Sequence, residues 1–358
     1  MAALADPALA ALGWGLRELL TPPPNTALAL NARPGLELPR GLHLHCQQGF
    51  RSLADALTQQ GHALIAAGFD PDGQAHALPP DQTCVLLLPP RQREAQRAEA
   101  ARALLSLGAD GVLLAAQANE HGAKSVEADL RALCPGLIVH SKHHCRVLLA
   151  RAADIDRARC TEWSTLDAAR PLDCAGLIQR PLRSAPGLFA VDRVDTGSAL
   201  LIEHLPAHLA GAVADLGSGV GVLAAAALER CPGIASLDLF EADARAVALS
   251  LNNLAGARIP VRAHWSDVAA GIEGRFDVVL SNPPFHVGSK GLPALGQAFL
   301  RSAAAALKPS GECWIVANAH LPYEGQLQQL FGDVRSIALR SGFKLLRAIR
   351  PQPGLAKA

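Results

Sequence analysis

The sequence predicts an α/β fold built from two doubly wound, mostly parallel sheets in tandem, and three observations carry that prediction. Apolar runs that read as strands alternate with helical patterns from Val213 to Val316. A fainter version of the same alternation occupies the first half, from Ala63 to Leu133. Each half also has an apolar strand that stops at two prolines: Val85 to Leu88 before Pro89-Pro90, and Phe276 to Leu280 before Ser281-Asn282-Pro283-Pro284. Strand and helix in alternation imply parallel neighbours joined by right-handed crossovers. A chain of 358 residues is long enough for two such domains.

The elements follow in order. Residues 1–20 are rich in Ala and Leu but carry Asp6 and Glu18, and no basic leader precedes a long apolar run, so they read as a short N-terminal helix. Ala63 to Ala66 and Val85 to Leu88 are strands, Glu94 to Leu107 a helix, Gly111 to Ala116 a strand, and Asp129 to Leu133 closes another helix. Residues 155–190 are rich in Arg, Asp, Pro and Gly without a sustained apolar period and read as the connection, with a small hairpin at Leu177 to Leu182. Downstream, Val213 to Asp215 is a strand, Val222 to Leu228 a helix, Ala235 to Phe240 a strand and Ala244 to Leu254 a helix. Val261 to His264, Phe276 to Leu280 and Cys313 to Val316 are further strands. The expected division is a reduced copy at 1–165, a linker with hairpin at 166–190, a chemically competent copy at 191–350 and a disordered tail at 351–358.

Half the residues are hydrophobic, which allows sizeable cores and excludes wholesale disorder. A formal charge of +1 excludes a nucleic-acid surface spread over the whole molecule but leaves room for local basic patches. The eight cysteines form no Cys-x-x-Cys pair, which argues against a zinc ribbon or a disulfide framework. His43-x-His45-Cys46 and His140-x-x-His143-His144-Cys145 lack companion pairs at a familiar spacing, so no metal is expected. No segment is long and uncharged enough to span a membrane, and a reduced, cytoplasmic protein is the expectation. Lys142, His143, His144 and Arg146, together with Arg91 and Arg93, form a candidate phosphate-contacting patch or a solvated charged face.

The candidate chemistry lies in the second half. Asp215-Leu216-Gly217-Ser218-Gly219-Val220-Gly221 sits where a strand meets a helix, the place where backbone approaches a ligand closely and free N–H groups are on offer. Its spacing departs from the dinucleotide fingerprint, because Val222 stands where the last glycine would be. An acidic residue ahead of the glycines suits a ligand with a positive ammonium. Glu241 ends the next strand, where a carboxylate accepts from ribose hydroxyls; Asp267 follows the third strand and Asn282 the fourth. Two prolines cannot continue a sheet ladder, so the carbonyls after Ser281 can face a ligand. An Asn side chain, such carbonyls and the ring of Phe285 together suit a planar group bearing an exocyclic amine.

With these residues in place, the second half resembles class I S-adenosylmethionine-dependent methyltransferases, and Asn282-Pro283-Pro284-Phe285 is similar to the amino-methylating signature of that class. Over nearly the whole chain the resemblance is to the ribosomal RNA small-subunit methyltransferase C family, guanine-N2 enzymes with two related Rossmann-like domains of which the first is inactive. It is carried by Pro186 to Phe189, Asp195-Thr196-Gly197-Ser198 with Leu200-Leu201, Val316 to Tyr323, Phe331-Gly332, Gly342 to Lys344, and Asn119 to Ser125 in the first half. The Leu321-Pro322-Tyr323 form favours the small-subunit family over its large-subunit sister; Ser218 stands where Cys is common. The resemblance implies two tandem methyltransferase domains, the first degenerate, and direct methyl transfer from S-adenosylmethionine to guanine N2 of ribosomal RNA. It places the chemistry on Asn282, Pro283 and Phe285, and the cofactor on Thr196, Asp215, Gly217, Gly219, Glu241, Asp267 and Asn282. Arg91, Arg93, Lys142 and Arg146 are its candidate RNA contacts. Adenine-N6 or glutamine-amide methylation and a non-catalytic RNA-binding factor are the competing readings.

Overall fold

The computed structural model describes residues 6–284, 286–287, 290–291 and 293–352. The chain divides into two compact units, one running through Ala168 with Ala185–Gly187 added, the other comprising Ala169–Ser184 and the chain from Leu188 onward.

The first unit opens with α1 (Pro7–Glu18), whose start is set by Asp6 accepting the Ala8 N–H at 2.9 Å and by proline at the first helical position. There follow β1 (Thr26–Leu30), β2 (His43–Gln47), α2 (Arg51–Gln59), β3 (Ala63–Ile65), β4 (Gln82–Leu87), α3 (Arg93–Leu105), β5 (Leu107–Ala118), α4 (Ala123–Leu133), β6 (Ile138–Lys142), β7 (Cys145–Arg151) and α5 (Arg157–Trp163). The strands form one seven-stranded sheet in the order β3-β2-β1-β4-β5-β7-β6. β3 through β5 pair in parallel, while β7 is antiparallel to both β5 and β6.

Two segments departed from their sequence signals. The β6–β7 hairpin turns on His143 and His144, both with positive φ (50° and 58°), a turn that sequence normally announces with Asn-Gly. Within the expected connection, α5 is a short helix, and the loop behind it is fixed by Asp167, which takes two hydrogen bonds from Arg102 at 2.7 and 2.8 Å.

The second unit begins with β8 (Arg170–Pro171) paired to β9 (Arg183–Ser184), a hairpin that encloses the 177–182 stretch. It continues with α6 (Thr196–His204), β10 (Ala210–Leu216), α7 (Val222–Arg230), β11 (Gly233–Glu241), α8 (Ala244–Asn253), β12 (Val261–Trp265), β13 (Phe276–Ser281), β14 (His286–Val287), β15 (Lys290–Gly291), α9 (Pro293–Ala306), β16 (Leu307–Asn318), α10 (Tyr323–Leu330), β17 (Phe331–Arg340) and β18 (Phe343–Pro351). Its main sheet is β12-β11-β10-β13-β16-β18-β17, the same permutation as in the first unit and again with an antiparallel pair at one edge. The expected pair of doubly wound domains is thus observed.

Val213, Ala214 and Leu216 of β10 and Val278 to Leu280 of β13 are buried, as expected of central strands covered by helices on both faces. The edge strand β17 is instead half solvated and carries Asp333, Arg335 and Arg340, which is why it escapes an apolar-run reading and how a sheet edge avoids pairing with other chains. The order of strands reverses between β10 and β13, and in such sheets the crevice beyond the carboxyl ends at that point is where ligands bind.

Candidate active site

Leu216 at the end of β10 lies beside Ser281 at the end of β13, and the Ser281 hydroxyl donates to the Leu216 carbonyl at 2.7 Å. This clamp brings the glycine loop and the Asn-Pro-Pro segment together. The Pro284 ring lies 3.9 Å from where a side chain on Gly217 would start. Asn282, the first residue past β13, donates from Nδ2 to both oxygens of Asp195 (3.1 and 3.3 Å) and to the Ser198 hydroxyl oxygen (3.0 Å). Its Oδ1 is buried and has no partner among the described residues. An unpaired buried acceptor costs about 1–3 kcal/mol, and a group left in that state at the mouth of a strand crevice is suited to a ligand's donor. Pro283 beside it is buried; Phe285 lies outside the described residues.

The loop after β10 keeps its shape through positive φ at Gly217 (69°) and Gly219 (52°). A side chain on Gly217 would meet the Phe299 ring at 3.1 Å, whereas beside Gly219 there is open space to 4 Å. The loop is tied to the end of β11, since the Gly217 and Ser218 N–H groups donate to the Phe240 carbonyl. Glu241 accepts three backbone N–H bonds, from Gly219 (2.8 Å), Ala242 (2.7 Å) and Asp243 (2.9 Å). Burial nonetheless raises its pKa above the ordinary carboxylate range, outweighing those bonds.

Asp215 is fully buried behind the loop. One oxygen accepts the Ala224 N–H of α7 at 3.2 Å and the other has no partner among the described residues. Burial pushes its pKa up to about 7, against the opposing effect of that N–H and with some help from the charge of Glu241. Asp267 caps the turn after β12 by accepting the Ala269 N–H at 2.9 Å. Thr196 is the exposed first residue of α6. Its neighbour Asp195 caps that helix, taking the Gly197 and Ser198 N–H groups at 2.9 and 3.2 Å, and also reaches Asn282. Asp195 and Ser198 were missed as site residues by sequence reasoning: their segment carried the family resemblance and gave Thr196 as a cofactor contact, but an Asp ahead of an apolar run otherwise reads as a helix cap.

The matching positions of the first unit carry other chemistry. Where Gly217 follows β10, Asn31 follows β1, and its amide donates to the Leu88 carbonyl (3.1 Å) and to Glu99 (2.7 Å). Where Glu241 ends β11, the neutral Gln48 stands just past β2. It is buried, donating to the Ala32 carbonyl (2.6 Å) and accepting the Phe50 N–H (2.8 Å). Leu88 stands in the place of Asn282 before Pro89-Pro90. Protein groups therefore satisfy one another at this strand end.

Of the basic residues singled out in that unit, Arg93 is held by the buried Asp129 (3.1 Å), which also binds Arg97 (2.8 Å), and Arg146 pairs with Glu127. Arg91 contacts His121 at 3.3 Å, and Lys142 sits over the Trp14 ring. His43 and His45 lie on β2, and among the described residues no group of three His, Cys, Asp or Glu side chains is placed to hold a metal ion.

Strand order, glycine loop and Asn-Pro-Pro strand end define a class I methyltransferase, and the family model for the methyltransferase small domain matches residues 179–347. A ribosomal RNA small subunit methyltransferase C from Erwinia tasmaniensis is 32% identical over 310 residues, 86% of each chain. That of Cronobacter sakazakii is 35% identical over 246 residues, 69% of each chain. Among solved structures, a T. thermophilus 16S rRNA N2 G1207 methyltransferase (RsmC), in complex with AdoMet and guanosine, superposes with a TM-score of 0.78. It is 27% identical and covers 98% of this chain and 93% of its own. The chain belongs to the ribosomal RNA small subunit methyltransferase C family, as its sequence resemblance implied.

Proposed function

We propose that this protein transfers a methyl group from S-adenosylmethionine to the exocyclic N2 of a guanine in 16S ribosomal RNA, the guanine-1207 position being that of the T. thermophilus relative. The observation that carries this reading is the buried, unpartnered Oδ1 of Asn282 at the switch point of the sheet. The residues fit the cofactor: an open glycine face at Gly219, a carboxyl at the end of β11 and a second buried carboxyl beneath the loop. Thr196, Asp215, Gly217, Gly219, Glu241, Asp267 and Asn282 would hold it. When bound, its sulfonium supplies an electrophilic methyl group.

The chain's own contribution is positioning. An exocyclic amine is a weak nucleophile because its lone pair is delocalised into the ring. Asn282 Oδ1 and the Pro283 carbonyl accept hydrogen bonds from its N–H groups, favour the pyramidal amine and hold it in line, and Phe285 would stack on the base for about 1–3 kcal/mol. A paired guanine must first leave its stack. Residues 191–350 form the catalytic domain and 1–165 a degenerate copy that recognises RNA or supports the fold, with Arg91, Arg93, Lys142 and Arg146 as its candidate contacts. Of these, Arg91 and Lys142 are the two without a carboxylate partner in the ion pairs described above. The reading places the protein in the cytoplasm with the small ribosomal subunit as its partner and no metal; no helix among the described residues is long and apolar enough to cross a membrane.

Transfer of labelled methyl groups to separated small and large subunits, with nucleotide mapping, tests the assignment. Label on the small subunit at one guanine is expected, and label confined to the large subunit moves the protein to the sister family. Asn282→Ala is expected to abolish transfer while calorimetry still registers S-adenosylmethionine binding; near wild-type turnover in that variant would overturn the site.

A further inference from the structure

We infer that Asp195, assisted by Ser198, is a positioning residue that fixes which end of the Asn282 amide faces the substrate and strengthens that end as an acceptor. The inference rests on the proposed role of Asn282.

An asparagine amide is nearly symmetric in shape but not in chemistry: one end donates and the other accepts. An ionised carboxylate only accepts, so two Asp195 oxygens within 3.3 Å of Asn282 Nδ2 compel the nitrogen to face α6, and the Ser198 hydroxyl oxygen at 3.0 Å takes the same nitrogen. The carbonyl end must then point the other way, where it is buried without a partner. With Nδ2 turned toward the amine instead, the site would offer it donors where it needs an acceptor. A negative charge bonded to the N–H end also polarises the amide, because hydrogen bonds in a chain strengthen one another where water is excluded.

The anchor is rigid. Asp195 Oδ2 is held by the Gly197 and Ser198 N–H groups at the start of α6, and Ser198 is buried. A Cβ on Gly197 would lie 3.0 Å from the Phe343 ring, so the helix start packs against β18 too closely to admit a side chain there. The contact spans 87 positions in sequence and joins a helix cap to the catalytic strand end.

The test uses full-length protein, ribosomal subunits as methyl acceptor and four variants. Asp195→Asn keeps the cap, since Asn caps helices as well as Asp, but removes the pure acceptor. Its kcat is expected to fall about 10- to 100-fold, the worth of one charge-assisted hydrogen bond. The calorimetric Kd for S-adenosylmethionine, the KM for RNA and the Tm are expected to stay unchanged. Ser198→Ala should show a smaller loss of the same kind. The reciprocal variant Asp195→Asn/Asn282→Asp restores a donor facing an acceptor and should recover activity relative to Asp195→Asn. In protein labelled with 15N at asparagine, the Asn282 side-chain amide protons should exchange slowly and lose that protection in Asp195→Asn.

Wild-type kcat in Asp195→Asn, or a reciprocal variant no better than Asp195→Asn, overturns the inference. Activity in Asn282→Ala overturns the reading beneath it. An inactive Asn282→Ala beside a fully active Asp195→Asn removes the present inference alone.

Discussion

A single buried carboxyl makes the chemistry of the glycine loop sensitive to pH. Asp215 has an ordinary value near 3.8 when exposed and about 7 when folded, because burial disfavours its charge. Between those values the folded chain binds a proton that the unfolded chain has released, so this group's contribution to stability is present below about pH 4 and is lost as pH rises to about 7. Asp215→Asn abolishes that slope. Thermal unfolding followed from pH 5 to 8 should show the variant gaining on the wild type toward pH 8, and an unchanged difference across the range would show that Asp215 is not held in this way. At the same scale, Asn282 shows how little a residue type says alone: its neighbours at 195 and 198 decide what it offers.

At the scale of the element, the loop between β10 and α7 is a strand-to-helix turn in which two glycines have different duties. Gly217 is needed for space as well as backbone, since Phe299 stands 3.1 Å from its missing side chain, while Gly219 has open room beside it. Gly219→Ala should therefore fold, losing about 1–2 kcal/mol for a left-handed alanine, yet lose cofactor affinity about tenfold or more because the methyl group occupies the face a ligand must approach. Calorimetry beside thermal unfolding separates the two effects; unchanged affinity would place the cofactor elsewhere. The strand ends compare in the same way. β13 ends in an amide with a free acceptor, whereas the end of β4 is closed by Asn31 donating to the Leu88 carbonyl.

For the whole molecule, two sheets of identical strand order carry one intact set of ligand-facing groups. In the first unit Gln48 and Asn31 hydrogen-bond to their own backbone surroundings where the second unit presents Glu241 and an open glycine. One S-adenosylmethionine per chain is expected by calorimetry, and a stoichiometry of two would show that the first unit binds as well. Both copies could be read in part from apolar runs, as in β4 and β13, although the equally buried β1 and β7 were not recognised. Edge elements such as β6 and β17 were hidden because half-solvated strands need no apolar run, and the β6–β7 turn was hidden because His143-His144 is no usual turn pair.

The local pattern by itself determined the alternation of strand and helix, the glycine loop, the acid at each successive strand end and the Asn-Pro-Pro stop. Burial periodicity and turn chemistry act between near neighbours, so these features are written into short segments. The tertiary structure decided that Asp195 and Ser198 hold the amide nitrogen of Asn282 while its oxygen stays buried without a partner among the described residues. That partnership joins groups 84 and 87 positions apart, and only the sheet order brings them within hydrogen-bonding distance.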